Sequence, residues 1–156
     1  MFEGEYLEGK KWNGKGYDKN GNIIYELKDG NGFFIEYDVE YGERIEFEGE
    51  YKNGEKNGKG KEYFDGILVF EGEFKNGKRN GKGKEYFDGQ LVFEGEYLEG
   101  KIWNGKGKEY DTGTDVLLFE GEYVNGKRWN GIGFDSGKQS NVSYLNGNEK
   151  YFLDDY

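Results

Sequence analysis

The chain has 156 residues, 29 of them glycine, with 19% aromatic residues, a net charge of −10 and no proline, cysteine or histidine. Missing cysteine excludes a disulfide framework, and missing histidine and cysteine together remove most nucleophile–base pairs and most transition-metal ligands. The acidic balance excludes the basic footprint that nucleic acid demands and disfavours anionic lipid. Alanine is also absent, so helix propensity is poor, while Tyr, Phe, Ile and Val favour strands. An all-β fold follows. The apolar fraction, 33%, is low for a thick core, but the aromatic content argues against disorder. A thin structure reconciles the two.

The N-terminal Met1-Phe2-Glu3-Gly4-Glu5 lacks the basic and apolar regions of a signal peptide. No apolar run approaches the ~20 residues of a membrane-spanning helix. The expected setting is the cytoplasm, or its membrane periphery.

From Phe2 onward the sequence repeats itself. The string Phe-Glu-Gly-Glu-Tyr/Phe starts at Phe2, Phe47, Phe70, Phe93 and Phe119. The spacing is 23 residues from Phe47 to Phe70 and from Phe70 to Phe93, and 26 from Phe93 to Phe119. The 45-residue gap after Phe2 predicts a degenerate unit in between, starting near Tyr25 and lacking the first turn. Six units therefore start near 2, 25, 47, 70, 93 and 119, the last decaying after Gly133. Residues 144–156, with an Asn146-Gly147 turn signal, read as a C-terminal cap or tail.

The unit from Phe70 is the clearest. Leu68 to Phe74 alternates as a strand, Asn76-Gly77 is a hairpin turn, Asn80 to Phe87 returns, and Asp88-Gly89 turns again. The units form a meander. Leu68, Phe70, Gly72 and Phe74 share one face, and Gly81, Gly83, Glu85 and Phe87 share one parity on the return. Aromatic rings should lie over glycines of neighbouring strands, with Gly72, Gly81 and Gly83 clearing their space. Glu71 and Glu73 should face Lys82 or Lys84 on the solvated side.

Phe70-Glu-Gly-Glu-Phe-Lys-Asn-Gly-Lys-Arg-Asn-Gly-Lys-Gly83 and Phe93-Glu-Gly-Glu-Tyr-Leu-Glu-Gly100 resemble the MORN (membrane occupation and recognition nexus) repeat. That unit reads Tyr-x-Gly-x-Trp/Tyr-x-x-Gly-x-x-x-Gly-x-Gly. A tryptophan variant recurs at Trp12, Trp103 and Trp129. Here Phe replaces most leading tyrosines. The resemblance implies an elongated, twisted, antiparallel single-layer sheet of tandem hairpins, solenoid-like, with a shallow aromatic groove. It also implies a scaffold role: some members bind peptide or helical segments, and others have been linked to phospholipid.

The function expected is a non-catalytic interaction module that binds a partner protein segment, basic or amphipathic, along an aromatic groove. Phe47, Tyr51, Phe70, Phe74, Phe93, Tyr97, Phe119 and Tyr123 should line it, with Trp12, Trp103 and Trp129 at its turn ends. No cofactor, metal or nucleic-acid partner is expected. The carboxylates Glu71 and Glu73 recur in nearly every unit, whereas an active site needs one recessed pair. The Gly-x-Gly pairs precede no helix, so they are not phosphate loops. Glu36, Asp38, Glu40, Glu43 and Glu46 alternate as an exposed strand face does, and this outweighs a calcium reading. Two alternatives stand beside the protein partner. One is membrane contact through Lys75, Lys78, Arg79, Lys82 and Lys84, and the other is carbohydrate binding on aromatic hairpins. Open sheet edges also suggest end-to-end or homodimeric self-association, and the chain could be one segment of a longer array.

Overall fold

The computed structural model describes residues 2–18, 20–37, 44–111, 113–135 and 138–151. They form one open antiparallel sheet of 14 strands, each hydrogen-bonded only to its neighbours in sequence. The strands are β1 (Phe2–Leu7), β2 (Lys10–Tyr17), β3 (Ile23–Lys28), β4 (Asn31–Tyr37), β5 (Ile45–Lys52), β6 (Glu55–Phe64), β7 (Ile67–Lys75), β8 (Lys78–Phe87), β9 (Gln90–Leu98), β10 (Lys101–Tyr110), β11 (Leu117–Val124), β12 (Lys127–Asp135), β13 (Lys138–Leu145) and β14 (Asn148–Tyr151). There is no second layer and no helix among the described residues.

Paired positive-φ residues set the hairpins. Asn76 and Gly77 have φ of 51° and 78°, and Asp88 and Gly89 have 47° and 73°. Two left-handed residues in a two-residue loop give a turn whose twist matches the flanking strands. Two sequence expectations change here. The degenerate unit has its first turn after all, at Asp29-Gly30 with φ of 50° and 72°. Its difference lies elsewhere: Phe34 pairs with Gly49 at the register position that Gly60 occupies on the other side of β5. The segment from Tyr144 to Tyr151 is a strand end, an Asn146-Gly147 turn and β14, so through Tyr151 it continues the sheet.

Rings seated on glycine form the core. A Cβ on Gly72 or Gly83 would lie 2.7 Å and 2.6 Å from the Phe70 ring. Gly49 and Gly60 seat Phe47, and Gly121 and Gly131 seat Phe119, in the same way. The seats are in register, because Gly60 pairs with Gly72, Gly72 with Gly83 and Gly83 with Gly95. Neighbouring rings meet edge-on: Phe70 lies 5.4 Å from Phe74 and 5.0 Å from Tyr97. Such geometry suits the aromatic quadrupole. Gly81 is different. It lies under no ring, and its φ of 104° and the carboxylate of Glu73 demand glycine there.

Turns are also fastened to the preceding hairpin. The Gly100 N–H donates to the Arg79 carbonyl (2.8 Å), and the Glu99 N–H donates to Asn80 Oδ1 (3.2 Å). The same pair of bonds joins Gly126 to Trp103 and Asn125 to Asn104, and Gly147 to Trp129 and Asn146 to Asn130. These asparagines register one hairpin on the next, a role that strand alternation alone does not show. The available hint was the recurrence of Asn immediately before the first glycine of Gly-x-Gly.

Candidate interaction surface

The eight rings expected to line an open groove are instead the buried core. Phe47, Phe70 and Phe119 are fully buried, and Tyr123, the most exposed of the eight, reaches only 9%. Tyr51, Phe74, Phe93 and Tyr97 are buried with them. The reason is a lid made by the same face. Lys56 Nζ sits 4.1 Å above the Phe47 ring, and the Arg79 and Arg128 guanidinium carbons sit 4.2 Å and 5.0 Å above Phe70 and Phe119. Long cationic side chains lay their stems over apolar surface and draw their charge to ring faces.

The three tryptophans are half-buried. Each lies in a returning strand, at the register irregularity beside its partner strand. Their rings pack toward the turn of the next hairpin, Trp12 against Gly30, Trp103 near Gly126 and Trp129 against Gly147.

Carboxylates hold the cations. Arg79 bonds Glu62 at 2.7 Å and Glu85 at 3.0 Å, and Arg128 bonds Glu109 at 2.9 Å. Tyr51, Tyr97 and Tyr123 donate their hydroxyls to Glu36, Glu85 and Glu109. Burial opposes ionisation of Glu36, but the Tyr51 hydroxyl and the Lys56 and Lys11 ammonium groups outweigh it and hold its carboxyl below the usual range. Burial, reinforced by the adjacent carboxylate, pushes the phenols of Tyr51, Tyr97 and Tyr123 well above the ordinary value. Tyr63 is pushed up to about 12 by burial and its bond to Glu48.

These phenols stay protonated in the folded chain at pH values where the unfolded chain loses the protons. Their contribution to stability is therefore complete below the unfolded phenol value of about 10 and falls as pH rises above it. In an absorbance titration Tyr51, Tyr97 and Tyr123 should ionise only together with loss of the strand circular-dichroism signal. Titration of every tyrosine in one step with the fold intact would contradict the assignment.

The open surface lies on the opposite face. A groove of about 930 Å³ crosses β5 to β9, with Phe33 of β4 at one end. Gly49, Gly60, Gly72, Gly83 and Gly95 form its floor. Its walls are two rows of charged side chains, which alternation along a strand places about 7 Å apart. One row runs Glu48, Lys61, Glu71, Lys84, Glu94, each opposite the next in register. Glu73, Lys82 and Glu96 belong to the other, with Lys59. Signs alternate, and the pairs are loose, with Lys61–Glu48 and Lys84–Glu94 both at 3.7 Å.

The five basic residues read as a membrane patch do not share a surface. Arg79 belongs to the aromatic lid, Lys82 and Lys84 to the groove, and Lys78 pairs with Glu99 beside the turns. Of the suspected calcium ligands, Asp38, Glu40 and Glu43 lie outside the described residues, and Glu36 bonds Lys11, Lys56 and Tyr51. Among the described residues no group of three or more potential metal ligands occurs.

The family model of the MORN repeat matches residues 47–66, 70–90 and 119–129. Three segments of the chain are MORN repeats. Two of the matched segments cover the hairpins that build the centre of the groove, β5–β6 and β7–β8. MORN repeats are in general interaction or membrane-associated modules, and the all-β repeat fold is typically non-catalytic. Comparison with curated proteins finds no match.

Proposed function

We propose that this MORN array is a non-catalytic interaction module that holds an extended, net-basic segment of a partner protein in the glycine-floored groove. The groove itself carries the reading. It is the broad concave surface left open once the rings are sealed, and its floor of glycine lets a second backbone approach closely. Walls of alternating Glu and Lys offer charge-assisted contacts in sequence along a segment, while their aliphatic stems and Phe33 provide apolar contact. The net charge of −10 steers a basic segment toward the surface, most strongly at low ionic strength.

A photo-crosslinking amino acid placed at Glu71 or Lys84, both in the groove, and at Lys75 beside a turn tests this in cells. The expected result is one partner peptide crosslinked from Glu71 and Lys84 and not from Lys75, with the yield falling as salt is raised in lysate. Crosslinks confined to Lys75, or protein-free Glu71 and Lys84 together with sedimentation on anionic phospholipid vesicles, would overturn it in favour of another surface or of membrane contact.

A further inference from the structure

The ion pairs of the aromatic lid form one chain with a single interruption. Opposite the second ring of five hairpins stand Lys11, Lys56, Arg79, Ile102 and Arg128, paired in register with Tyr6, Tyr51, Phe74, Tyr97 and Tyr123; in the β3–β4 hairpin Gly32 stands there opposite Leu27, and Lys11 reaches across it to Glu36. Opposite the leading Phe of each following hairpin stand Glu36, Glu62, Glu85 and Glu109, paired with Phe47, Phe70, Phe93 and Phe119. Each glutamate thus falls between two cation positions. Glu36 is bracketed by Lys11 at 3.5 Å and Lys56 at 3.4 Å. Glu62 is bracketed by Lys56 at 3.8 Å and Arg79 at 2.7 Å.

The next cation position is Ile102, so the alternation breaks there. Glu85 has Arg79 on one side and Ile102 on the other, and Glu109 has Ile102 and then Arg128. Exposure records the difference. The side chains of Glu36 and Glu62 are 27% and 24% exposed, those of Glu85 and Glu109 33% and 44%. A recess of about 630 Å³ opens at this place, and Glu85, Ile102, Glu109 and Tyr123 line it. Phe87 and Tyr110 line it as well, stacked with centroids 5.6 Å apart and planes 17° from parallel.

From this interruption we infer that the recess at Ile102 receives an arginine side chain from a partner polypeptide, which completes the ion chain in trans. The guanidinium takes the place between Glu85 and Glu109 that Arg79 holds between Glu62 and Glu85. Its planar fork can reach two carboxylates at once, and its stem lies on Ile102 and the Phe87–Tyr110 stack. The site is on the face opposite the glycine-floored groove, so it stands or falls independently of that surface.

The test uses N-acetyl-arginine N-methylamide as probe and its citrulline counterpart, equal in shape and uncharged, as control. Methyl NMR of Ile102 and Val92, which also lines the recess, reports binding to the full chain. The arginine probe should give saturable shifts at both residues, with citrulline at least about tenfold weaker. Ile102→Arg should restore the missing cation in cis, keep the fold as judged by amide shifts elsewhere, and abolish the response at Val92. Glu85→Gln/Glu109→Gln should abolish it as well. No saturable shift, equal binding of citrulline, or undiminished binding to folded Ile102→Arg would each overturn the proposal.

Discussion

Phe70→Ala is expected to lower unfolding stability by about 3–5 kcal/mol. Phe70 is fully buried and stands at the crossing of every stabilising device of the fold. Its ring covers Gly72 and Gly83, meets Phe74 and Tyr97 edge-on, and carries the Arg79 guanidinium. Truncation leaves those rings without a neighbour, and a single layer has no facing layer to collapse into the gap. The loss should also be local, since a repeat array is stabilised by nearest-neighbour interfaces. Denaturant titration gives its size. Hydrogen exchange should show protection falling first in β7 to β9 and persisting in β2 to β4. A loss below about 1 kcal/mol, or a uniform fall in protection, would contradict the seat model.

Gly83→Val should be nearly as damaging, at about 3 kcal/mol or more, although valine is a better strand former than glycine. Intrinsic propensity would favour the valine by up to about 1 kcal/mol. The first added carbon, however, already lies 2.6 Å from the Phe70 ring and 3.3 Å from Tyr97. The ring must leave its seat, and the steric term wins. Gly113→Ala is the control. Its added carbon meets only the Asp111 carboxylate, at 3.5 Å, so its effect should stay within about 0.5 kcal/mol. Thermal or denaturant unfolding of the two variants side by side checks both figures.

Most of the architecture is legible in the sequence. Periodic Phe-Glu-Gly-Glu strings, Asn-Gly and Asp-Gly turns and strict alternation are local signals, and a meander contains only local pairings. Ring-over-glycine packing is legible too, because Gly72 shares the parity of Phe70 on its strand and Gly83 recurs on the returning strand. Three things were not. The lid over the rings depends on the register of Arg79 in β8 against Glu62 in β6, two strand interfaces away, and the irregularity between Gly72 and Phe74 moves that register away from simple counting. With the lid unseen, the rings read as an exposed groove, and the open groove on the charged face went unnoticed behind side chains that looked merely solvated. Asn80 reads in the sequence only as the start of a returning strand, whereas Asn80 and Asn104 fasten the next turn. The interruption at Ile102 becomes visible only when five hairpins are superposed on their observed register.

Glycine is required beneath the rings for space rather than for backbone freedom, and a double-mutant cycle of Gly83→Ala with Phe70→Leu separates the two. Leucine keeps an apolar side chain at position 70 but lacks the ring atoms that meet Gly83. In the native background Gly83→Ala should cost about 1–3 kcal/mol. With Phe70→Leu it should become neutral or stabilise by about 0.5–1 kcal/mol, the ordinary advantage of alanine over glycine in a strand. A cost for Gly83→Ala that is the same in both backgrounds would contradict the ring-on-glycine account of this fold.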